Sequence, residues 1–204
     1  PERLENQKSL SQADITGMKH LDSDSEFQQT LTSKIASEDA QNWGYDPVHY
    51  GVPEGSYSTN PDGATRILEY REMVKFLSEK IHLRIIVDVV YNHTQSSGPT
   101  DVNSVLDKIV PGYYHRRNFR GDYEASTCCN NTASEHFMMD RLIVDDLIHW
   151  AKDYKVDGFR FDLMGHLMLK TMLKAKAKLE SLTLERDGVD GTKLYLYGEG
   201  WDYA

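Results

Sequence analysis

The sequence predicts an α/β fold in which parallel strands alternate with helices. Three short segments rich in apolar and β-branched residues, 83–90, 156–162 and 193–198, have the length and composition of strands. The stretches between them are long enough for the crossovers that parallel pairing requires. Each predicted strand ends in polar residues, and the carboxyl ends of parallel strands are where α/β proteins place their binding and catalytic groups.

The first predicted strand carries the strongest signal. The run LRIIVDVVYNHT, residues 83–94, is apolar around Asp88, which predicts a strand that is buried on both faces. Asp88, Asn92 and His93 stand in the second half of this run. We therefore expect them at the carboxyl edge of the sheet.

Helical periodicity separates the strands. From residue 65 onward, apolar residues recur at spacings of three and four, which predicts a helix: Ile67, Tyr70, Val74, Leu77 and Ile81. A second stripe starts near Glu135 and places Asp145 and Asp146 on the solvent face of its helix. Its apolar members are Met139, Ile143, Leu147, Trp150 and Tyr154. A third helix is predicted over 166–182.

Two other regions lack regular structure in this interpretation. Residues 1–40 are polar, with a short helix predicted at Ser25–Ala36, and the Trp-, Gly- and Pro-rich run 41–63 is predicted to be an aromatic loop. Residues 91–136 show no sustained periodicity. A segment of this length inside a compact domain is usually functional, so we interpret it as an insertion after the first strand.

Bulk composition excludes some functions. The formal charge of −9 and the lack of a basic stripe disfavour nucleic acid, and no apolar run reaches the ~20 residues that span a bilayer. The two cysteines, Cys128 and Cys129, are adjacent. Neighbouring cysteines rarely form a disulfide, because one trans peptide holds their Cα atoms closer than the usual bridge geometry.

The number of units indicates an incomplete domain. A (β/α)8 barrel needs eight βα units and roughly 250 residues. About three consecutive units are recognisable among the 204 residues. We therefore predict that residues 1–204 form a central fragment of a (β/α)8 TIM barrel, with 91–136 as a long loop insertion.

Two acids stand at neighbouring strand ends. Asp162 ends GFRFD and Glu199 lies in GEGW, one βαβ step later. Two carboxyl groups roughly 5–5.5 Å apart suit retaining glycoside hydrolysis, in which one attacks the anomeric carbon and the other donates and accepts a proton. Arg160 points to the same strand face as Asp162 and is expected to keep it ionised. Glu199, between two glycines, is expected to have a raised pKa.

The motifs DVVYNH, GFRFD and GEGW resemble the first three characteristic regions of the α-amylase superfamily of glycoside hydrolases. NWGYDP resembles the signature of its pullulanase-type debranching branch, and the longer runs are similar to plant-type limit dextrinases. These runs include SVLDKIVPGYYHRR, NNTASEHFMMDRLIVDDLIHWAKDYKVDGFRFDLMGHLM and DGVDGTKLYLYGEGWDY. The likeness extends over nearly everything from residue 41 onward.

The resemblance implies a role for each matching position. Asp162 matches the nucleophile, Glu199 the general acid/base and Arg160 the arginine that orients the nucleophile. The remaining matches imply substrate binding. His93 corresponds to a histidine that bonds the sugar hydroxyls, Asp88 and Asn92 shape that rim, Tyr45 is the aromatic platform, and His166 and Trp201 contact sugars beyond the scissile bond.

Each substrate-binding position also has a purely structural interpretation. Asp88 and Asn92 could satisfy loop amides, and Tyr45 and Trp201 could be core aromatics. His93 taken alone is more often a hydrogen-bonded buried histidine. His166 could cap or pack at a helix start. The basic pair Arg116–Arg117 is interpreted as a solvated loop face without a role.

The sequence departs from the family pattern at two points. Gln41 replaces the tyrosine that usually opens the YNWGYDP signature. The fourth characteristic region, a His-Asp pair on a later strand, is absent from the 204 residues. We therefore expect this polypeptide alone to be inactive and its parent to be catalytic.

The sequence-based hypothesis is a starch-debranching hydrolase that cleaves α-1,6-glucosidic branch linkages in pullulan, amylopectin and limit dextrins. The 1,6 preference and a plastid location come from the resemblance alone, and protein partners are not predicted. No organic cofactor and no metal ligand are assigned. Calcium is compatible with the family, although no loop has a calcium-ligand spacing.

Three alternatives remain open. The protein could be an isoamylase or an α-1,4-acting member of the superfamily, or a non-catalytic α-glucan-binding homologue. The third is a metal-dependent hydrolase that uses Asp88 and His93 as ligands, which lacks a second histidine at ligand spacing.

Overall fold

The structure is a computed structural model that describes residues 16–17, 21–22, 24–27, 30, 44–126 and 128–201. Residues 44–204 make up one compact unit, and the fold below is that of its described part. The helix predicted over Ser25–Ala36 lies mostly outside the described residues, and Gln41 lies outside them as well.

The described strands and helices alternate as the sequence predicts. Helix α1 (Thr65–Glu79) precedes strand β1 (Ile86–Val89), and helix α3 (Phe137–Asp153) leads into strand β4 (Gly158–Phe161). Helix α4 (Leu169–Glu180) and the short helix α5 (Leu184–Asp187) then lead into strand β5 (Tyr195–Gly198). All three predicted strands and the three predicted helices are confirmed, although each strand is shorter than its apolar run.

A parallel three-stranded sheet organises the unit. Its strand order is β1-β4-β5, so β4 is the central strand. Both pairings are parallel, with Val89 opposite Phe161 and Phe161 opposite Gly198. This register ends all three strands at one edge, which aligns the residues that follow them.

The prediction that β1 is buried on both faces is wrong. Asp88 is exposed and Val89 is buried, while Ile86 and Val87 are half-buried. Among the described strands β1 is an outer strand, so only its pairing with β4 shields it. The continuous apolar run around β1 therefore belongs to an outer strand of the described sheet, and such a run does not by itself show that a strand is buried on both faces.

The core lies between the sheet and the two long crossover helices. The apolar stripe of α3 is buried as predicted, with Met139, Ile143 and Leu147 at 0% exposure. It packs against the inward side chains of β4, Phe159 and Phe161, and against Ala175 and Leu179 of α4. None of the described helices is long and apolar enough to cross a membrane.

The segment predicted as an insertion contains short elements of its own. Strands β2 (His93–Thr94) and β3 (Asn130–Asn131) pair antiparallel, and helix α2 (Leu106–Ile109) lies between them. A buried carboxylate, Asp107, accepts hydrogen bonds from the Gly98 and Gly112 amides and the Tyr123 hydroxyl. The segment also contributes Tyr91, Leu106 and Tyr114 to the apolar core, but their spacing follows neither a helical nor a strand period. This explains why no hydrophobic period is visible.

Cys128 and Cys129 are joined by a disulfide, contrary to the expectation for neighbouring cysteines. Their Cα atoms lie 3.8 Å apart, the span of one trans peptide. The chain bends at both residues just before β3, so both sulfur atoms reach the same side. The Cα criterion describes typical bridges and does not exclude this one.

Asp146 does not lie on the solvent face of α3. It accepts a 2.6 Å hydrogen bond from the hydroxyl of Tyr91, which is 1% exposed. Burial raises the pKa of Asp146 to about 6. Asp145, one residue earlier, is exposed and pairs with Arg141.

We expect Asp146→Asn to change how stability depends on pH. In the unfolded chain the carboxyl titrates near 3.8 and in the fold near 6, so its stabilising contribution is complete below pH ~4 and lost as the pH rises through ~6. Relative to the parent, the free energy of unfolding of Asp146→Asn should increase by about 2 kcal/mol between pH 4 and pH 7. Urea unfolding at both pH values measures this, and Asp145→Asn, the matched control, should show no such difference.

Gly158 is expected to be indispensable for strand pairing. A Cβ at this position would overlap the Tyr195 carbonyl oxygen and approach Ile86 Cδ1 to 2.8 Å. Gly158→Ala should therefore lower the free energy of unfolding by about 1–3 kcal/mol, measured by urea unfolding. Gly200→Ala is the control, since nothing lies within 4 Å of its Cβ position. Equal stability of the two variants would contradict this packing.

Candidate active site

The site lies at the carboxyl edge of the parallel sheet. Asp162 follows β4 directly and Glu199 follows β5 directly. The Asp162 amide donates to the Val89 carbonyl at 3.0 Å, and the Glu199 amide donates to the Phe161 carbonyl at 2.9 Å. These bonds continue the ladder by one residue and hold both acids side by side.

The Arg160 guanidinium connects three carboxylates. Its Nη1 lies 2.8 Å from Asp88 Oδ1 and 3.2 Å from Asp162 Oδ1, and its Nη2 lies 3.3 Å from Glu199 Oε2. Asp88 is its direct neighbour across the sheet, and Asp162 lies two residues later on the same face. The hydrogen bond to Asp88 raises the pKa of Arg160 most, so the guanidinium remains a permanent cation.

Neutral donors complete the binding of each acid. The Asn92 side-chain amide donates to both the Oδ2 atom of Asp162, at 2.9 Å, and its carbonyl oxygen, at 2.8 Å. The Tyr45 hydroxyl donates to Asp88 Oδ2 at 2.9 Å. Asn92 and Asp88 thus form hydrogen bonds with other side chains of the site. These contacts do not support the alternative interpretation, in which the two residues satisfy loop amides.

Glu199 differs from the sequence-based expectation. A hydrogen bond from the Trp201 side chain lowers its pKa most, and the Leu163 amide, 3.1 Å from Oε2, and Arg160 act in the same direction. The predicted rise of the Glu199 pKa is therefore wrong. The two flanking glycines provide no apolar surface, and the polar neighbours favour the anion.

Two predicted residues lie beside this network. His93 is 2% exposed, with Nδ1 against Asn92 Oδ1 and Nε2 3.7 Å from Asp46 Oδ1. His166 ends a 3₁₀ turn, Met164–His166, just after β4. Burial lowers the pKa of His166 most, followed by the charge of Arg116 and that of His93.

Arg116 was missed as a contributor to this region. It is half-buried, forms two 2.8 Å hydrogen bonds with the Glu135 carboxylate and donates to the His166 carbonyl at 3.3 Å. The interpretation of Arg116 as a solvated loop residue is therefore wrong. Its partner, Glu135, lies 19 residues later in the sequence. This separation matches neither a helical nor a strand repeat, so the sequence does not reveal the ion pair.

The predicted site residues thus converge on one edge of the sheet. Hydrogen bonds or ion pairs connect Tyr45, Asp88, Asn92, Arg160, Asp162, Glu199 and Trp201, and His93 adjoins Asn92. Two carboxylates, a fixed cation and an aromatic side chain at each end suit a polyhydroxylated ligand.

The metal-dependent alternative gains no support. Asp88 is occupied by Arg160 and Tyr45. Within the described ranges, the group of three potential metal ligands is His93, Cys128 and Cys129. Its nitrogen and sulfur donors do not match calcium, which prefers oxygen.

Comparison with known proteins places these features in context. No protein-family model matches the chain. It is 55% identical over 200 residues to pullulanase 1, chloroplastic, of Arabidopsis thaliana, covering 98% of this chain and 20% of that protein. It is 49% identical over 175 residues to the pullulanase of Klebsiella pneumoniae, covering 85% of this chain and 15% of that protein. The chain thus spans a fifth or less of the length of these relatives.

A solved structure gives the same relationship. The crystal structure of Klebsiella pneumoniae pullulanase complexed with maltotriose superposes with a TM-score of 0.78 at 46% sequence identity. The match covers 94% of this chain and 18% of that chain. The mixed α/β arrangement with a parallel sheet is therefore shared with this protein.

We expect Arg160→Gln to raise the pKa of Glu199. Removing the cation withdraws one interaction that favours the ionised carboxyl group. An NMR titration of ¹³C-labelled glutamate carboxyls measures the shift. Arg141→Gln is the matched control, because Arg141 forms an ion pair with the exposed Asp145 on α3 and should leave Glu199 unchanged. An unaltered Glu199 titration in Arg160→Gln would contradict the assignment.

Proposed function

The chain belongs to the pullulanase family of the α-amylase superfamily, and we propose that it supplies the catalytic acids of a starch-debranching glycoside hydrolase. The reaction is hydrolysis of α-1,6-glucosidic linkages in pullulan, amylopectin and limit dextrins, with retention at the anomeric carbon. One observation carries the proposal: Asp162 and Glu199 follow paired parallel strands and contact the same guanidinium.

Asp162 is proposed as the nucleophile. Its Oδ2 accepts a hydrogen bond from Asn92 and its Oδ1 contacts Arg160, and these two interactions hold the carboxyl group in place. The carboxylate attacks the anomeric carbon, and the bond to the glycosidic oxygen breaks as a covalent glycosyl-enzyme forms. Arg160 orients the attacking group, since it is fixed on its other side by Asp88.

Glu199 is proposed as the general acid/base. It protonates the departing glycosidic oxygen, then removes a proton from the water that attacks the anomeric carbon and releases Asp162. The surroundings of Glu199 favour the anion. A bound glucan excludes water and replaces some of these contacts, so the carboxyl group of Glu199 shifts towards its neutral form. The neutral carboxyl group can then protonate the glycosidic oxygen.

The other site residues are proposed to bind sugar. Tyr45 provides an aromatic face with its hydroxyl fixed by Asp88, and Trp201 is 62% exposed beside the acid. Asn92 orients Asp162 and contacts His93, and His166 lies at the end of the turn that follows β4. The maltotriose complex of the Klebsiella pneumoniae relative supports an oligosaccharide as the ligand.

The three βα units are proposed to be part of a (β/α)8 barrel, with residues 91–136 as an insertion within it. The sheet order and the parallel register support this, because successive barrel strands pair in the same way. A plastid location is proposed from the chloroplastic Arabidopsis thaliana relative. Fluorescent tagging of the full-length protein in plant cells tests the location.

We expect substitution of either acid to abolish debranching in the full-length protein. Glu199→Gln should lose roughly 10²–10⁴-fold in pullulan hydrolysis, and Asp162→Asn at least as much, because one removes proton transfer and the other the nucleophile. Asp145→Asn, an exposed acid on α3, should retain parent activity. Reducing-sugar release from pullulan measures all three.

A substrate with an activated leaving group separates the two roles. Fluoride departs from an α-maltosyl fluoride without protonation, so Glu199→Gln should recover most of its glycosylation rate, whereas Asp162→Asn should not. Near-parent pullulan hydrolysis in either variant would refute the assignment. Maltotriose binding by a full-length protein that releases no sugar would instead identify a glucan-binding homologue, and intact α-1,6 links in the products would identify an α-1,4-acting enzyme.

A further inference from the structure

A cluster of nitrogen and sulfur donors lies beside the sugar-binding histidine. His93, Cys128 and Cys129 each present one potential ligand atom within 4.8 Å of the other two. The imidazole of His93 is buried, Cys129 is half-buried and Cys128 is exposed. The cluster is thus accessible to solvent at Cys128 and buried at His93.

The orientation of His93 suits metal binding. Its Nδ1 faces Asn92 Oδ1, which can accept the Nδ1–H and leave the Nε2 lone pair directed at the cluster. Cys128 Sγ lies 3.7 Å from Nε2. Two ligands of a tetrahedral zinc ion, at Zn–S ~2.3 Å and Zn–N ~2.0–2.1 Å, lie ~3.6 Å apart, so this separation matches the geometry of a shared ion.

A fourth ligand lies nearby, but Asp46 is not among the donors that lie within 4.8 Å of one another, so its side chain must rotate to reach the ion. Asp46 Oδ1 lies 3.7 Å from the same His93 Nε2, and the Asp46 side chain is half exposed. Thiolates and imidazoles select zinc and other thiophilic ions, and a carboxylate completes four-coordinate sites of this type. The disulfide is the remaining obstacle, because it occupies both sulfur atoms.

We propose that reduction of the Cys128–Cys129 disulfide creates a binding site for a thiophilic divalent metal ion of the zinc class, held by Cys128, Cys129, His93 and Asp46. Reduction takes two electrons and two protons and yields two thiols; a cellular dithiol supplies both and becomes a disulfide. The ion then displaces the two thiol protons as it binds the thiolates. Breaking the S–S bond allows the sulfurs to separate to the spacing that a tetrahedral ion requires.

The consequence for glucan binding rests on the proposed function. A metal-bound His93 Nε2 no longer has a lone pair for sugar hydroxyls, so the proposed contact between His93 and the sugar would be lost. Metal binding and glucan binding should therefore exclude one another. The metal site itself is tested without any catalytic readout, so its failure is distinguishable from failure of the hydrolase assignment.

The test uses the full-length protein, Co²⁺ as a spectroscopic probe for the zinc-class site, and a phosphine reductant, because dithiols themselves chelate metals. The phosphine takes oxygen from one water molecule and becomes a phosphine oxide, and the two hydrogens of that water protonate the sulfurs. The reduced protein should bind one Co²⁺ with a thiolate-to-metal charge-transfer band, and Zn²⁺ should displace it. The unreduced protein should show no band.

Variants assign the ligands. Cys128→Ser/Cys129→Ser should lose the band, and His93→Gln should bind Co²⁺ at least ~10-fold more weakly. His149→Gln, which removes a histidine of α3 outside the cluster, is the matched control and should bind as the parent does. The comparison of reduced with unreduced parent protein needs no variant, so a folding defect cannot mask the result.

The outcomes are separable. A charge-transfer band that persists in the double serine variant, or the absence of stoichiometric Co²⁺ binding by the reduced parent, would overturn the metal site. Saturating maltotriose should weaken Co²⁺ binding several-fold, and identical Co²⁺ affinity with and without maltotriose would overturn the mutual exclusion. Pullulan hydrolysis by the metal-free protein remains the separate test of the enzyme.

Discussion

The site depends on one guanidinium placed among three carboxylates. Without a cation, the carboxylates of Asp88, Asp162 and Glu199 at the end of one sheet would repel one another. Arg160 lies within 3.3 Å of all three. It stands on the central strand, so one outer strand supplies Asp88 and the other supplies Glu199. The parallel register is therefore a requirement of the chemistry as well as of the fold.

One cation does not neutralise three anions, and neutral donors provide the rest. Tyr45 serves Asp88, Asn92 serves Asp162, and the Leu163 amide serves Glu199. Such bonds fix the direction of each acid, and in Glu199 they also favour the ionised form. As a result, these contacts favour the ionised form of Glu199, whereas the proposed general acid must be protonated. In the proposed reaction, the substrate must therefore do more than occupy the site, because its binding must also make the neutral form of Glu199 favourable.

The sequence predicted features that depend on a repeating pattern of apolar residues. It did not predict how deeply an individual polar side chain is buried or which partner it contacts. The spacing of Met139, Ile143 and Leu147 encodes which face of α3 is buried, and the structure agrees. The same pattern cannot show that Asp146 lies under the Tyr91 hydroxyl while Asp145 reaches solvent, because both occupy the polar side of the helix.

Charge environments were the least predictable part of the site. The strand ends correctly placed Asp162 and Glu199 together, since that follows from parallel topology. The pKa of Glu199 depends on Trp201, which follows β5, on Leu163 in the turn after β4, and on Arg160 of β4. The order of residues gives no measure of such approach. The disulfide of Cys128 and Cys129 was missed for a related reason: a bend in the chain, which the sequence does not specify, decides whether two neighbouring sulfurs meet.

Asn92 connects the two chemistries at this edge of the sheet. Its amide nitrogen donates to the proposed nucleophile, and its amide oxygen faces His93 Nδ1, so one planar group fixes both partners. Since the amide cannot rotate to favour one without releasing the other, the orientation of His93 is tied to that of Asp162. Whatever occupies His93 Nε2, a sugar hydroxyl or a thiophilic ion, therefore acts on a side chain already aligned with the reacting carboxylate.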